Sequence, residues 1–159
     1  MKNQIQTMFQ LQDTLNNNTN GTDWKKGITK EGKVISWERA IYLECAELIE
    51  SYPWKHWKDI SAQPDFNNAR IEVVDIWHFL MSLILELSLN ERISLQKAKE
   101  NVLNQASKIQ PQEDKTWSLE QNKQLNAFLK DFETLIRLSI KMQIVKEKFE
   151  EEKFEKIIT

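Results

Sequence analysis

The chain has 159 residues, of which 22 are basic and 24 acidic, so its formal net charge at pH 7 is −2. This length fits one domain with a substantial hydrophobic core, and we predict a single domain over residues 1–159. Because the charges nearly cancel and neither half of the chain is strongly basic, we predict no nucleic acid partner.

The single cysteine and the hydropathy pattern bear on where the protein works. Cys45 cannot form an intramolecular disulfide, and it lies in an apolar helical pattern where buried thiols are common. The N-terminus lacks the uninterrupted apolar core of a signal peptide, and Asp75 and His78 interrupt the only long apolar run. We therefore predict a soluble protein of the reducing cytoplasm, with no membrane partner.

Glycine and proline are rare, and their positions predict an all-α fold, a helical bundle of about five helices. All three glycines lie between positions 21 and 32, and each of the three prolines falls at a predicted helix boundary. Long stretches without either residue are typical of helices.

Apolar periodicity and capping residues place the first three helices. The first is predicted near residues 2–17, with an apolar stripe that we expect to be buried. The members of this stripe are Ile5, Met8, Leu11 and Leu15. Ser36 is the predicted cap of a second helix that ends near Tyr52, before Pro53, and Asp65 that of a third helix at about 66–89.

The remaining helices follow the same signals. Ser94 is the predicted cap of a fourth helix, which Pro111 should close, and Ser118 with Gln121 predicts a capping box before a long helical region. The buried side predicted for the fourth helix is Leu95, Ala98, Val102, Ala106 and Ile109. The stripe predicted for the last region is Leu125, Phe128, Leu129, Phe132, Leu135, Ile136 and Met142.

Two pairs of carboxylates interrupt the apolar pattern of the second and third helices. Glu44 and Glu47 are three residues apart, as are Glu72 and Asp75, so each pair lies on one helical face. If the two helices are antiparallel, the four like charges meet in a mostly apolar setting and repel one another. Mg²⁺ or Mn²⁺, which prefer oxygen ligands, would remove this repulsion. We therefore predict that all four carboxylates are metal ligands.

Other interpretations of these residues differ in how well they fit. Acidic residues at helical spacing usually form a solvated face, but apolar side chains surround Asp75 in nearly every direction. A di-iron site needs a Glu-x-x-His motif from each of two helices, and this chain has only one related sequence, Asp75-x-x-His78. Zinc prefers His and Cys ligands, so it fits four carboxylates less well than Mg²⁺ or Mn²⁺ does. His78 is either part of the site or a hydrogen-bonded core residue. Trp54 and Lys55 either line a nucleotide pocket or belong to the core and its surface.

Three segments, in order, resemble the dimeric dUTPases of the all-α nucleoside triphosphate pyrophosphatase superfamily, to which MazG belongs. They are "LQDTLNNNTNG" at 11–21, "ITKEGKVISWERAIYLECAELIESYPWKHWK" at 28–58 and "RIEVVDIWHFLMSLILE" at 70–86. The resemblance covers residues 1–90, which should hold the core of the site. The later glycine-containing segment of the family has no counterpart, because no glycine follows Gly32. We therefore expect residues 91–159 to be divergent or truncated helices.

The resemblance implies a homodimer that hydrolyses dUTP, and also dUDP, to dUMP with Mg²⁺ bound by the four carboxylates. It implies that Gln12, Asn16 and His78 read the uracil and deoxyribose. Within the site we expect Glu44 to act as the general base and Glu47 to bridge metal ions. Two alternatives stay open: a pyrophosphatase of broader nucleotide specificity, and a catalytically weak helical dimer that binds a nucleotide or a protein.

Overall fold

A computed structural model of the chain describes residues 1–109 and 116–158. Within them it contains six α-helices and one short 3₁₀ helix, η1. The α-helices are α1 (Lys2–Asn20), α2 (Trp37–Glu50), α3 (Phe66–Leu89), α4 (Leu95–Ala106), α5 (Leu119–Lys123) and α6 (Leu125–Ile158), and η1 is Trp24–Lys26. The all-α prediction is confirmed, with one helix more than expected because the chain turns at Gln124 between α5 and α6. None of the helices in the described ranges is long and apolar enough to cross a membrane.

The helices begin where the capping residues predict. The Asp65 carboxylate accepts a hydrogen bond from an amide of the first turn of α3 at 3.0 Å, and the Ser94 hydroxyl does the same in α4 at 3.3 Å. Ser118 and Gln121 form a reciprocal capping box at the start of α5. These contacts satisfy amide donors that have no partner within their own helix. Pro111, the predicted end of the fourth helix, lies outside the described residues.

The buried face of α1 differs from the predicted apolar stripe. Its buried residues are Ile5, Phe9, Gln12 and Asn16. By contrast, Met8, Leu11 and Leu15 are 38%, 63% and 47% exposed, so the prediction was wrong for these three. The physical reason is that two polar amides of α1 have hydrogen-bond partners in the interior, which makes their burial acceptable.

The last helices also bury less than their patterns predict. No residue of α4 is fully buried, and Ile109, which follows its end, is 73% exposed. In α6, Leu125 and Leu129 are buried as predicted, whereas Phe128 and Met142 are 44% and 39% exposed. A periodic apolar pattern shows which side of a helix is apolar. When the helix lies at the surface, the rest of the protein covers only part of that side.

The chain forms two compact units, and each takes up two separate stretches of sequence. The first unit comprises Met1–Trp37 and Trp77–Lys115, and the second comprises Glu38–Ile76 and Thr116–Thr159. The sequence predicted a single domain without this subdivision. Of the residues singled out by the sequence, Glu44, Glu72 and Asp75 belong to the second unit, and Gln12, Asn16 and His78 belong to the first.

The first unit is built on aromatic contacts and on one ion pair. Trp24 is fully buried and meets the Trp37 ring edge-to-face, with 5.8 Å between the ring centroids. The centroid of the Trp37 ring in turn lies 6.0 Å from that of Phe79 in α3. An ion pair of 2.7 Å between Lys25 and Asp13 links η1 to α1, which also packs against α4. These contacts hold α1 beside the second half of α3.

In the second unit, the segment between α2 and α3 is held by residues near α5. The Asn122 side chain donates hydrogen bonds to the backbone carbonyls of Ile60 and Ala62, and it accepts one from the Trp117 indole at 2.7 Å. Tyr52 lies two residues beyond the end of α2, and its ring centroid is 5.5 Å from that of Trp117. Residues from the C-terminal part of the chain thus fix the connection between the two helices that carry the carboxylates.

Cys45 is buried in α2, as the sequence predicts. The side chain is 0% exposed, and burial is the main cause that raises the pKa of its thiol from 9.0 to about 11, with a smaller effect from the charge of Glu44. The thiol is therefore protonated at neutral pH and packs as a small apolar group.

Candidate functional site

Three of the four predicted carboxylates come together in the second unit. Glu44 of α2 and Glu72 and Asp75 of α3 each offer an oxygen, and these three oxygens lie within 4.8 Å of one another. We call these residues the carboxylate cluster. Glu72 is only 5% exposed, while Glu44 and Asp75 are half-buried. The spacing of three residues puts both α3 carboxylates on the same side of that helix, facing Glu44.

Burial and the neighbouring carboxylates act together on the pKa of Glu44. The pKa of this carboxyl is raised from its ordinary 4.5 to about 7, first by burial and then by a hydrogen bond with Glu72. The charges of Glu47, Glu72 and Asp75 raise this pKa further. A proton shared by crowded carboxylates is one way to reduce their repulsion, and a bound divalent cation is another. Three clustered carboxylate oxygens are the kind of donor set that Mg²⁺ and Mn²⁺ prefer.

Glu47 stands apart from the carboxylate cluster. It lies one turn from Glu44 on α2, but its side chain is exposed and its oxygens are not among the three that converge. Its charge nevertheless acts on Glu44, because it contributes to the raised pKa of that carboxyl. The ligand role predicted for Glu47 stays a prediction.

Gln12, Asn16, His78 and Ser82 form a hydrogen-bonded group in the first unit, which we call the amide network. The Gln12 amide donates to Asn16 Oδ1 and to Ser82 Oγ, both at 3.1 Å, and Asn16 donates to Ser82 Oγ at 2.8 Å. The Gln12 Oε1 atom faces His78 Nδ1 at 2.5 Å. The structure thus brings together all three residues that the resemblance assigns to the nucleoside.

The sequence analysis missed Ser82. The signal was available, because Ser82 interrupts an apolar run and follows His78 by four residues, which places both on one side of α3. Its side chain is 0% exposed, and Gln12 and Asn16 are only 4% and 3% exposed. Buried polar side chains such as these are compatible with a stable fold when each of them has a hydrogen-bond partner.

Trp54 and Lys55 lie in the segment after α2, within the second unit, and both contact Glu50. The Trp54 indole donates to the Glu50 carboxylate at 3.2 Å, and the Lys55 ammonium donates to it at 2.8 Å. The ammonium lies 5.7 Å from the centroid of the Trp54 ring, and Trp54 is 42% exposed. The two side chains form a surface group that does not include any member of the carboxylate cluster.

Taken with the fold, the carboxylate cluster defines an all-α protein in which neighbouring helices bring acidic side chains together. Comparison with protein families identifies it further. A family model described as dUTPase matches residues 4–158, which is nearly the whole chain. The chain therefore belongs to the dUTPase family and is a hydrolase that acts on nucleotides. The match extends past residue 90 and includes the C-terminal helices. A search among curated proteins found no match.

Proposed function

We propose that the protein is a Mg²⁺-dependent dUTP diphosphatase, which hydrolyses dUTP to dUMP and pyrophosphate and dUDP to dUMP and phosphate. The observation that carries this proposal is the carboxylate cluster, Glu44, Glu72 and Asp75, in a chain of the dUTPase family. When bound, Mg²⁺ polarises phosphate oxygens and makes a bound water more acidic. The oxygen-only donor set and the repulsion at Glu44 support Mg²⁺ or Mn²⁺ as the cofactor.

Glu44 is the proposed general base. Its carboxylate lies beside those of Glu72 and Asp75 but belongs to the other helix, α2, so it would stand next to a cation that those two residues hold. It would accept a proton from the water that attacks the α-phosphorus. Glu72 and Asp75 would hold the cation. Glu47, exposed one turn away, would add a further ligand once a cation and substrate are present.

The amide network supports recognition of the nucleoside. Gln12 and Asn16 are buried and bonded to Ser82, and they would act on the base through His78, whose ring Gln12 contacts. Uracil has one N–H donor between two carbonyl acceptors. His78 is half-buried and adds an imidazole. For the rest of the substrate we propose Trp54 as a stacking surface and Lys55 as a phosphate contact. Lys55 would then have to exchange its bond to Glu50 for one to phosphate.

The position of attack is tested by the products and by isotope transfer. Hydrolysis of dUTP in ¹⁸O-labelled water should place the label on dUMP and leave pyrophosphate unlabelled, because attack at the α-phosphorus puts the water oxygen there. The Asp75→Asn variant serves as the inactive control. If dUDP and labelled phosphate appear first, the cation site is used for a different reaction.

A pyrophosphatase of broader specificity is the second candidate. The observation that favours it is that no glycine follows Gly32 in the sequence. The dimeric dUTPases use a later glycine-containing segment to contact the base and the phosphates. Comparing kcat/KM for dUTP, dCTP, dTTP and dATP with Mg²⁺ separates the two. A strong preference for dUTP supports the first candidate, and similar values support the second. Mg²⁺ binding without turnover of any nucleotide would support a catalytically weak binding protein.

We also propose a homodimer. Several large apolar side chains are exposed in the single chain, among them Met8, Leu11 and Leu15 on one side of α1. An exposed apolar stripe of this kind is typical of a surface that a partner subunit covers.

A further inference from the structure

The Ser82 hydroxyl uses its full capacity for hydrogen bonds. It donates to the backbone carbonyl of His78 at 3.0 Å, and it accepts from the amides of Gln12 and Asn16 at 3.1 and 2.8 Å. A hydroxyl has one hydrogen and two lone pairs, so these three contacts account for all of them. With its hydrogen on the His78 carbonyl, the Ser82 hydroxyl has only acceptor positions left for the two amides.

This arrangement fixes which way the Gln12 amide is oriented. Its NH₂ group must face Ser82, and the second hydrogen of that group goes to Asn16 Oδ1 at 3.1 Å. The Oε1 atom must then face His78 Nδ1. In the reversed orientation, Oε1 would lie against the oxygens of Ser82 and Asn16, and those contacts would be repulsive.

The orientation of Gln12 in turn selects the tautomer of His78. An amide oxygen can only accept, so Nδ1 of His78 must carry the hydrogen. In a neutral imidazole the other nitrogen, Nε2, then has a lone pair. His78 is half-buried, unlike the buried amides, so part of this residue is open to solvent.

We propose that Ser82 is a positioning residue that makes the site prefer uracil over cytosine, an inference that rests on the proposed function. Uracil carries a hydrogen at N3, which can be donated to Nε2 of His78. Cytosine carries a lone pair at N3, which faces the lone pair of Nε2 and is rejected. Without the Ser82 hydroxyl, Gln12 is free to reverse, His78 takes the Nε2–H form, and the ring then offers the donor that cytosine accepts.

Substrate selectivity tests this inference directly. In the Ser82→Ala variant, the ratio of kcat/KM for dUTP to that for dCTP should fall at least about tenfold, the effect of one hydrogen bond of about 1.4 kcal/mol. Ser82→Thr keeps the hydroxyl and should retain the wild-type ratio. Ser88→Ala is the matched control, since the Ser88 hydroxyl also donates to a carbonyl of α3, that of Leu85 at 2.8 Å, and bonds no side-chain amide. An unchanged ratio in folded Ser82→Ala would overturn the inference.

The tautomer of His78 is a second readout that needs neither catalysis nor cation. Long-range ¹H–¹⁵N NMR at mildly alkaline pH should show hydrogen on Nδ1 in the wild type and a shift toward Nε2 in Ser82→Ala. The chain has two histidines, so a His56→Gln variant assigns both signals. Hydrogen on Nε2 in the wild type would overturn the inference, and it decides the question even if Ser82→Ala does not fold.

Binding of the product nucleotides separates this inference from the proposed function. If calorimetry shows that the wild type binds dUMP better than dCMP and that Ser82→Ala loses the preference, the inference holds even where dUTP is not hydrolysed. That result would overturn only the proposed reaction. If dUTP is hydrolysed and the wild type binds dUMP and dCMP equally, the reaction stands and the role of Ser82 is overturned.

Discussion

Replacing Glu44 by glutamine should remove a charge from the carboxylate cluster and stabilise the metal-free protein at neutral pH. The two side chains have nearly the same volume, so packing around α2 should not change. The cost of burying the Glu44 charge and the repulsion that this charge adds to the cluster are present only when Glu44 is ionised. The gain in stability should therefore depend on pH, which shows that it comes from the charge of Glu44.

The size and sign of the effect follow from the pKa of Glu44, which burial and neighbouring carboxylates raise from 4.5 to about 7. Between these values the unfolded chain has released the proton while the folded protein keeps it, so the wild type loses stability as the pH rises through this window. The full shift corresponds to about 3 kcal/mol, but Glu44 is half-buried and solvent screens its charge, so we expect about 1–2 kcal/mol. Glu44→Gln should match the wild type near the lower pKa and exceed it by this amount above the upper one.

Urea unfolding followed by circular dichroism, in the presence of a chelator and over this pH range, measures the difference. Titrating groups away from Glu44 and its neighbouring carboxylates affect both proteins equally and cancel. Glu133→Gln removes a charge from an exposed position of α6 and serves as the control. If the free energies of unfolding of wild type and Glu44→Gln keep a constant difference across the range, Glu44 does not carry the repulsion and the argument for a cation loses its electrostatic basis.

Two further predictions concern the cation and the oligomer. Mg²⁺ should raise the melting temperature of the wild type, with about 2.7 kcal/mol of stabilisation at a concentration one hundred times Kd. Asp75→Asn should lose this effect together with dUTP hydrolysis while Glu133→Gln keeps both, and a wild type that does not respond to Mg²⁺ would contradict the cation site. Light scattering at micromolar concentration should give a dimer that Leu11→Lys weakens, since a buried lysine charge in an interface is costly. A wild-type monomer would rule out the dimer.

The parts of the fold that depend on neighbouring residues in sequence were predictable. Asp65, Ser94 and Ser118 cap their helices because a cap needs only the amides of the next turn. The buried side of α1 was not predictable in this way. Gln12 and Asn16 are buried because their amides donate hydrogen bonds to Ser82, which lies 70 and 66 residues further along the chain.

The same distinction applies to the carboxylates. Helical spacing selected Glu44, Glu72 and Asp75, and the structure brings these three carboxylates together, while their role as ligands stays a prediction. The spacing also selected Glu47, which is on the same side of α2 as Glu44 but exposed. Two side chains three residues apart lie on the same side of a helix but do not point in the same direction. The position of α3 therefore decides that Glu44, and not Glu47, meets its carboxylates.

Cys45 gives the protein an internal reporter of helix opening. Its thiol is fully buried and has a pKa of about 11, so an alkylating reagent at neutral pH reaches it only in molecules where α2 has come away or the chain has unfolded. Because the chain has one cysteine, each alkylation event is located without ambiguity. That place is next to Glu44, so the alkylation rate measures how often the helix that carries the proposed base opens to solvent.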